Sequence, residues 1–426
     1  MKPVRTDRFQ VAVVGGGTAG AVAAVAAART GASTVVVDRY GALGGTQSHG
    51  WVTPMMPNYL GEHKLSRGIN REILGDQSEF QAPGDLEHVD DWYDPAMLPL
   101  VLDRLATSAG ATCLFDATLA DVTRDGRRIH GIEVMTRAGL VRVEADCFID
   151  ASGDAMLSLL AGAELMGGDE GGQHQPMTLR FCLGNVDIER LQSEEAAILR
   201  LSTRDYIECG YHDAREGALG ARVHEAVEQG VLEADDLGYF QFFSINGRPK
   251  EVAVNAPRVA GLDPLDPYEL SRAYQVGREK IARIVKFCKA SIRGLEHAYV
   301  SMVAPLIGVR ESRRVVGDYV LTEDDHQQCR KFPDVIARNR YPVDIHLKRG
   351  TDYRKFPPGE WHDLPYRCLV ARGFDNLWVA GRCLSADFVA QSSVRIQPVC
   401  RATGEAAGLA AAICAVRGLA SRDVPY

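Results

Sequence analysis

The N-terminal segment, residues 9–38, constrains this chain more than any other part, because a short apolar run leads directly into a glycine-rich turn. Residues 11–14 are apolar, and the letters GGGTAG follow them, ending at Gly20 before an alanine-rich segment. In such a turn Gly15 lets the chain bend sharply out of a strand, and Gly17 lets a pyrophosphate approach the backbone. Gly20 allows close packing of helix on strand. The pattern predicts a strand, a turn and a helix whose N-terminus binds phosphate.

A second apolar run, residues 34–37, ends at Asp38, about twenty residues beyond the glycines. An acid at this place accepts hydrogen bonds from a ribose hydroxyl and disfavours a 2′-phosphate. Strand, turn, helix, second strand and acid thus follow one another in the order of a dinucleotide-binding unit. The pattern predicts FAD or NAD rather than NADP, and it does not choose between the first two.

Length and charge argue against several other classes of protein. A chain of 426 residues is too long for one simple core, so two domains are expected. Its net charge of −8, without a basic run interleaved with aromatic residues, argues against a nucleic-acid partner. We find no apolar stretch of membrane-spanning length and therefore expect no membrane partner. The ten cysteines contain no Cys-x-x-Cys pair, which favours reduced thiols in the cytoplasm over disulfides or a metal site.

Hydrophobic periodicity extends the pattern of strands and helices along the chain. Helices are predicted at residues 97–109, 273–292 and 397–416, and strands at residues 112–115, in three runs between 119 and 145, at 147–150 and at 377–380. The sequence therefore predicts an α/β fold. It consists of a Rossmann-like cofactor domain, whose central parallel sheet carries a β-meander, and an inserted α+β substrate domain. The cofactor domain is expected to be discontinuous, at residues 1–160 and 361–426, with the substrate or cap domain at residues 161–360.

Four segments carry a family resemblance that spans nearly the whole chain. They read GGGTAG…VVVDRYGALGGT, FIDASGDA, IGVRESRRVVGDYVLTEDD and NLWVAGRCLSADFVAQSSVRIQPVCRATGEAAG. With these segments the chain resembles the FAD-dependent oxidoreductases of the glutathione-reductase-like fold, which has two dinucleotide-binding domains. Within that group it is most similar to the branch related to fumarate reductase and succinate dehydrogenase flavoproteins. The resemblance implies FAD as the cofactor, extended across the first domain with its isoalloxazine ring at the interface to the second.

The resemblance also implies which residues bind FAD. Gly153 and Asp154 are expected near the adenosine-pyrophosphate half, and Gly381 and Arg382 near the pyrophosphate and the ribityl chain. The N-terminus of the last helix, with residues 392–396 before it, is expected to face the pyrimidine end of the flavin and to stabilise negative charge there. The predicted FAD-binding residues are Gly15, Gly17, Thr18, Ala19, Gly20, Asp38, Arg39, Gly44, Gly45, Thr46, His49, Leu119, Ala151, Gly153, Asp154, Gly381, Arg382, Ser393, Val394 and Ile396.

The implied function is hydride transfer between flavin and a small organic substrate, at a C–C or C–N bond beside a carboxylate or carbonyl. No second Gly-x-Gly-x-x-Gly pattern follows a strand, so a domain for NAD(P)H is not expected. The electron donor or acceptor is left open among the substrate, dioxygen, a quinone and a separate protein. An FAD-dependent monooxygenase and a flavoprotein isomerase or lyase without net redox turnover stay as alternatives. An oligomer is compatible with the sequence.

Candidate catalytic residues come from two segments. Arg310 and Arg313 belong to a dense charged run, GVRESRR, between apolar stretches, and an arginine there suits a two-pronged contact with a carboxylate. An Arg–Glu pair that fixes the domain junction explains the same run equally well. Tyr341 and His346, in RYPVDIH, are the candidate acid/base or substrate-orienting groups. A buried, hydrogen-bonded histidine without a catalytic role is the alternative for His346.

His49 is a separate case, because the segment LGGTQSHG aligns with the stretch in which succinate dehydrogenase-like flavoproteins bond a histidine covalently to the flavin. The paired glycines Gly44 and Gly45, and Gly50 after the histidine, resemble the noncovalent members instead. The resemblance therefore leaves covalent and noncovalent FAD open, and we favour the noncovalent form. In either form His49 is expected near the isoalloxazine ring.

Overall fold

The computed structural model describes residues 2–77, 93–201 and 208–425. The helices are α1 (Thr18–Arg29), α2 (Ile69–Gln77), α3 (Leu98–Ala109), α4 (Met156–Ala161), α5 (Ile188–Arg190), α6 (Ala196–Leu199), α7 (Gly220–Glu228), α8 (Pro267–Ser291), α9 (Glu323–Gln327), α10 (Phe388–Val394) and α11 (Gln397–Arg417). The strands are β1 (Arg5–Val14), β2 (Thr34–Val37), β3 (Tyr59–Leu60), β4 (His63–Lys64), β5 (Thr112–Leu114), β6 (Thr118–Asp125), β7 (Arg128–Thr136), β8 (Gly139–Asp150), β9 (Leu165–Gly167), β10 (Met177–Thr178), β11 (Phe181–Gly184), β12 (Glu208–Tyr211), β13 (Phe240–Ile245), β14 (Arg248–Val254), β15 (Arg258–Val259), β16 (Tyr299–Val303), β17 (Arg313–Val315), β18 (Val335–Asn339), β19 (Val343–His346), β20 (Thr351–Arg354), β21 (His362–Pro365) and β22 (Leu377–Val379).

The main sheet has the strand order β5-β2-β1-β8-β7-β6, and β22 pairs with β8 beyond the end of β7. β5, β2, β1, β8 and β22 are parallel, and β6, β7 and the first half of β8 form an antiparallel meander. This arrangement confirms the predicted α/β fold with a parallel sheet and a β-meander. The two strands predicted at the end of the meander and at residues 147–150 are one continuous strand, because β8 pairs with β1 along both halves.

Helices α1 and α11 lie against each other because two glycines of α11 leave room for the backbone of α1. A Cβ at Gly404 would lie 2.1 Å from the carbonyl oxygen of Ala19, and one at Gly408 would lie 2.2 Å from that of Ala23. Both separations are far below van der Waals contact, so only glycine permits this approach. The close packing brings the N-termini of α1 and α11 toward the same side of the sheet, where both line one cavity.

Helix α11 is long and apolar enough to cross a membrane by length and composition, which differs from our expectation from the sequence. About 61% of its most apolar window is buried inside the protein, where it packs on α1 and the main sheet. A buried core helix of a soluble protein meets the same criteria, so the finding is weak evidence for a membrane segment.

The middle of the chain forms a second, antiparallel sheet with the order β12-β13-β14-β11-β16. Its apolar side chains and those of α8 form a hydrophobic cluster separate from the clusters around the main sheet. Asp266 caps α8 by accepting hydrogen bonds from the backbone of Tyr268 and Glu269, so the helix begins at Pro267, six residues before the start expected from periodicity. The placement of the domain boundaries at residues 160 and 360 stays a prediction.

Candidate active site

A cavity of about 770 Å³ is lined by residues of both sheets and by the N-termini of α1 and α11. This volume lies in the range of ligand and cofactor pockets. The glycine-rich turn and Asp38 line one part, which we call the cofactor end. Arg310, Tyr341 and His346 line another part, which we call the substrate end.

The turn after β1 leaves open space where a phosphate would lie. Gly15 has φ +94°, and a Cβ there would lie 2.5 Å from the carbonyl oxygen of Ala151. Gly17 differs, because a Cβ added there would meet no atom closer than the Cα atom of Gly45, at 3.8 Å. Gly17 is also the N-cap of α1, and no side chain caps that helix. The first N–H groups of α1 are therefore available to an anion.

Asp38 lies at the end of β2 and lines the cavity, as predicted. Its carboxylate accepts hydrogen bonds from the backbone N–H groups of Gly16 at 2.5 Å and Tyr40 at 2.7 Å. Burial raises the pKa of Asp38, and these two backbone donors oppose the rise. A carboxylate accepts about four hydrogen bonds, so capacity remains for a ribose hydroxyl.

Asp154, Ser312 and Arg382 form a compact polar cluster beside the glycine-rich turn. Arg382 donates to Asp154 at 2.7 Å and to the Ser312 hydroxyl at 3.0 Å, and Ser312 donates to Asp154 at 2.6 Å. Burial alone would raise the pKa of Asp154, but Arg382 and Ser312 hold it below its usual value. The paired arginine is thus fixed at the cavity wall, where its outer N–H groups suit a phosphate.

The start of α11 is a second helix N-terminus that lines the cavity. Its N-cap is Ile396, no side chain caps it, and Pro398 occupies the first turn. Ile396 and Gln397 line the cavity. The partial positive charge of an uncapped helix start stabilises an anionic group that lies next to it on the helix axis.

These features fit FAD: two uncapped helix starts, a glycine at one of them that leaves space for a pyrophosphate, and an acid at the end of β2. Most of the predicted FAD-binding residues line the cavity, namely Gly15, Gly17, Thr18, Ala19, Asp38, Arg39, Gly45, Thr46, Leu119, Ala151, Gly153, Asp154, Gly381, Arg382 and Ile396. Their individual contacts with the cofactor stay predictions. Gly20 has the predicted packing role instead, because a Cβ there would lie 1.7 Å from the carbonyl oxygen of Gly15. Gly44 does not line the cavity, and a Cβ there would lie 2.7 Å from the hydroxyl oxygen of Ser48.

Ser393 and Val394 do not face the cavity, contrary to the prediction for the segment before the last helix. Val394 is buried in a hydrophobic cluster. Ser393 donates to the carbonyl oxygen of Tyr341 and accepts from Asn339 at 2.7 Å. The neighbouring Ser392 lines the cavity. The segment that the resemblance indicated thus lines the cavity in part, and the rotation of α10 decides which serine faces inward.

His49 does not line the cavity, although Tyr40 and Gly50 beside it do, and its place near the isoalloxazine ring stays a prediction. Its ring stacks on Tyr40 with a centroid distance of 4.8 Å, and its Nδ1 lies 3.0 Å from the Ser48 hydroxyl. Tyr40 follows Asp38 closely, and the charge of Asp38 acts on His49. The carbonyl oxygen of His49 accepts a hydrogen bond from the backbone of Leu306 at 3.2 Å, so His49 lies between Asp38 and the segment that leads to Arg310.

Arginines dominate the substrate end. Arg180 and Arg310 line the cavity, and neither has a carboxylate within ion-pair distance among the residues that the structure describes. Arg180 donates to the carbonyl oxygen of Trp51 at 3.4 Å, and Arg310 donates to that of Pro176. Burial lowers the pKa of Arg180 to about 10, so it stays charged at neutral pH. Burial also lowers the pKa of Arg310.

Two further arginines lie beside a single carboxylate, that of Asp344. Arg395 lies 3.8 Å from the Asp344 carboxylate and donates to its carbonyl oxygen at 2.9 Å. Arg258 is 4% exposed and donates to His346, which in turn lies 3.3 Å from Asp344. Burial would raise the pKa of Asp344, but His346, Arg395 and Arg310 together lower it strongly. Asp344 is therefore ionised throughout the neutral range.

Two tyrosines complete the substrate end. The Tyr341 hydroxyl donates to Asp344 at 3.4 Å, and burial raises the pKa of Tyr341 well above its usual value. The ring of Tyr239 lies 3.9 Å from the guanidinium carbon of Arg258 and 5.3 Å from the ring of His346. Burial raises the pKa of Tyr239 to about 12. Both phenols are thus neutral hydrogen-bond donors at the pH of the cell.

The structure does not bring Arg313 to this group, which corrects its assignment as a candidate catalytic residue. Arg313 begins β17, and its guanidinium lies 3.5 Å from the carbonyl oxygen of Asp154 and 3.8 Å from the sulfur of Met156. It is not among the described lining residues. The charged run does contain an Arg–Glu pair, which Arg314 makes with Glu311, and its role at a domain junction stays a prediction.

Five residues of the substrate end were missed in the sequence: Arg180, Tyr239, Arg258, Asp344 and Arg395. A signal existed for three of them. Arg180 and Arg258 interrupt apolar runs, MTLRFCLG and NAPRVAG, and a charged residue in a buried run needs a reason. Asp344 lies two residues before His346, so both side chains point to the same face of a strand. For Tyr239 and Arg395 we find no local signal of this kind.

Fold and cavity together define an α/β protein built to hold a dinucleotide cofactor beside a cationic pocket. A sequence model of the family described as FAD dependent oxidoreductase matches residues 10–426. The chain therefore belongs to the FAD-dependent oxidoreductase family, and it is an enzyme with FAD as its cofactor. No curated protein matches the chain at a significant level.

Solved structures with similar folds share little sequence with this chain. The myxobacterial chondrochloren halogenase CndH is 13% identical over 97% of this chain and 76% of its own, with a TM-score of 0.48. The flavin-dependent brominase Bmp2 is 12% identical over 96% of this chain and 80% of its own, with a TM-score of 0.47. A geranylgeranyl bacteriochlorophyll reductase-like protein of Thermoplasma acidophilum is 14% identical over 97% and 79%, with a TM-score of 0.43. The branch related to fumarate reductase, which the sequence predicted, stays a prediction.

Proposed function

We propose that this enzyme transfers hydride between FAD and a small organic substrate that carries a carboxylate, and that the substrate end of the cavity binds that carboxylate. The observation that supports this proposal is the pair of arginines, Arg180 and Arg310, which line the cavity without a carboxylate partner among the described residues. The relationship to the fumarate reductase branch is part of the same proposal.

The charges of the substrate end favour an anionic ligand. Four arginines lie there. The carboxylate of Asp344 lies beside Arg395 and is linked to Arg258 through His346. Burying an unpaired charge costs several kcal/mol, and a bound carboxylate would offset that cost. An arginine also orients a carboxylate through two parallel hydrogen bonds, which fixes the carbon atom beside it.

In this proposal the side chains of the substrate end bind, orient and exchange a proton. Arg310 holds the carboxylate, and Arg180 adds a second positive charge on the cavity wall. Tyr341 is the proton-exchanging group, because its neutral hydroxyl lies beside an ionised Asp344 that accepts its hydrogen bond. When bound, FAD supplies the hydride acceptor or donor.

Two alternatives are separated from this proposal by their products. A monooxygenase would consume dioxygen and leave an oxygen atom in the product. An isomerase or lyase would return the substrate at the same oxidation level. No residue of the substrate end favours either of them over hydride transfer, so we keep them as outcomes of the test.

The test uses the FAD-loaded protein without oxygen and a panel of small hydroxy, amino and unsaturated carboxylic acids. Each acid is paired with its uncharged primary amide, which has nearly the same shape. We expect at least one acid to bleach the flavin absorbance, or to restore it after photoreduction, while its amide does neither. The proposal fails if no acid changes the redox state of the flavin in either direction. Oxygen insertion, or turnover without a redox change, would support the corresponding alternative.

A further inference from the structure

Arg258 joins a loop of the second half of the chain to the histidine of the substrate end. Its Nη1 donates to the carbonyl oxygens of Leu347 at 2.9 Å and Gly350 at 2.6 Å. Its Nη2 donates to Thr351 at 3.1 Å and lies 2.5 Å from Nδ1 of His346. Four contacts and the Tyr239 ring at 3.9 Å hold the planar guanidinium in one orientation.

The partners of His346 admit one arrangement of its ring proton. A guanidinium has donors and no acceptor, so Nδ1 of His346 has to present its lone pair to Arg258. On the other side of the ring, Nε2 lies 3.3 Å from the Asp344 carboxylate, which only accepts when ionised. The single ring proton therefore belongs on Nε2.

The charges that face His346 support the same form. Arg258 and Arg310 disfavour a positive ring, and Asp344 opposes them. Tyr239 presents its ring edge-on at 5.3 Å, and Gln175 and Thr351 face the histidine as uncharged groups. His346 is 6% exposed. Burial, followed by Arg310, lowers the pKa of His346 well below its usual value.

We propose that Arg258 is a positioning residue: it fixes His346 as the neutral tautomer with the proton on Nε2, and His346 in turn orients Asp344. His346 then acts as a fixed hydrogen-bond donor rather than as a proton shuttle. The exchangeable proton of the substrate end is left to Tyr341, which shares the Asp344 carboxylate. The role of Tyr341 rests on the proposed function, whereas the tautomer of His346 does not.

Nuclear magnetic resonance of the FAD-loaded protein tests this inference without any substrate. Protein labelled with nitrogen-15 in histidine gives separate signals for protonated and unprotonated ring nitrogens, and His346→Gln identifies those of His346 by their loss. In the wild-type protein we expect Nε2 to be protonated and Nδ1 unprotonated, with no change between about pH 6 and pH 8. An ordinary histidine titrates near 6.5 and would change its signals within this range.

Two variants separate positioning from a merely structural role. Arg258→Met removes the donor to Nδ1 and one positive charge, so we expect His346 to become doubly protonated as the pH falls through this range. Thr351→Val removes another hydrogen bond of the same guanidinium and keeps the one to His346. We expect its histidine signals to match those of the wild type. Arg258→Leu, which also removes the charge and the donors, serves if the methionine variant does not fold.

The inference is overturned if His346 of the wild-type protein carries its proton on Nδ1 or on both nitrogens at neutral pH. It is also overturned if Arg258→Met, or Arg258→Leu in its place, leaves the signals unchanged, or if Thr351→Val changes them equally. The wild-type spectrum decides the tautomer even if no variant folds. Failure of the carboxylate panel would remove the proposed function and leave this result standing.

Discussion

The two ends of the cavity are built in different ways. The cofactor end is mostly backbone: Gly15 and Gly17 shape the turn, and the uncapped starts of α1 and α11 supply N–H groups. The substrate end is mostly side chains, and its arginines come from distant parts of the chain, such as Arg180 and Arg310. One end therefore depends on the absence of side chains, and the other on their presence and charge.

This difference predicts how each end responds to substitution. At the cofactor end any added side chain occupies space that the cofactor needs, whatever its chemistry. At the substrate end we expect the kind of charged group to matter more than its size. A lysine keeps the charge of an arginine but cannot make its two-pronged contact with a carboxylate. The experiments that follow probe this contrast, beginning with the largest expected effect.

Replacement of Gly17 by valine is expected to abolish FAD binding while the protein stays folded. The nearest protein atom to the added Cβ is 3.8 Å away, and Gly17 has φ −68°, which valine adopts without strain. The side chain would thus fill the space for the pyrophosphate. We expect FAD affinity to fall at least a hundredfold, about 2.7 kcal/mol, as measured by flavin absorbance per protein and by titration of the apoprotein.

Gly41→Ala is the matched control, because a Cβ at Gly41 meets nothing within 4 Å. It should bind FAD like the wild type. If Gly17→Val keeps its yellow colour and its affinity, the glycine-rich turn does not hold the cofactor, and the contrast between the two ends is lost.

Arg310→Lys is expected to keep FAD and to lower kcat/KM for the carboxylate substrate by about a hundredfold, or about 2.7 kcal/mol. The charge remains, but a single ammonium cannot hold both carboxylate oxygens in one plane. Arg313→Lys is the control, since Arg313 lies against Asp154 and Met156 rather than in the cavity. Its kcat/KM should stay within about twofold of the wild type. Equal losses in the two variants would contradict the placement of the substrate at Arg310.

The sequence predicted the strand, the turn, the helix and the acid that line the cofactor end, because these features are local in the chain. Gly17 and Asp38 follow strands at fixed spacing, and Arg382 follows a buried strand in the order that the family resemblance implies. Backbone geometry of this kind leaves a fixed pattern of residues, since only glycine fits certain positions. The paired strands of the main sheet could be predicted for the same reason.

The substrate end could not be assembled from sequence, because its residues meet only through the tertiary fold. Arg258 and His346 are far apart in the chain, and their contact depends on the loop that ends at Gly350. Arg310 and Arg313 belong to one charged run, and nothing in that run tells which side chain turns toward the cavity. The same applies to Ser392 and Ser393, where one residue of helical rotation exchanges a cavity position for a buried one.

Acid is expected to weaken the substrate end before the cofactor end. His362 is fully buried and accepts a hydrogen bond from Asn339, which also donates to Ser393 beneath Tyr341. Burial lowers the pKa of His362 to about 3 and that of His326 to about 4. Both are neutral in the folded protein, whereas an unfolded histidine titrates near 6.5.

The sign follows from proton binding. Below about pH 6.5 the unfolded chain binds protons that the folded protein does not, so the free energy of unfolding decreases as the pH decreases. For His362 the loss reaches about 2 kcal/mol by pH 5, which corresponds to 1.5 pH units at about 1.36 kcal/mol each. Urea denaturation at several pH values measures it, and hydrogen exchange should show faster opening at residues 339–346 than at residues 11–14. His362→Asn should reduce the pH dependence, and His130→Gln, at an exposed histidine, should not. A free energy of unfolding that is constant from pH 7.5 to 5 would contradict the prediction.

The smallest effect is expected at His49, where the sequence left covalent and noncovalent FAD open and where the structure stacks the ring on Tyr40 at a centroid distance of 4.8 Å. Because its ring does not line the cavity, we expect no bond to the flavin, and acid precipitation should release the FAD from the wild-type protein. His49→Ala should keep FAD and lose less than about 1 kcal/mol of stability, the usual worth of one stacked ring pair. Flavin that stays with the acid-precipitated wild-type protein, but not with His49→Ala, would show a covalent bond. It would then place the flavin ring beside His49 and Tyr40, and the limit between the two ends of the cavity would have to be redrawn.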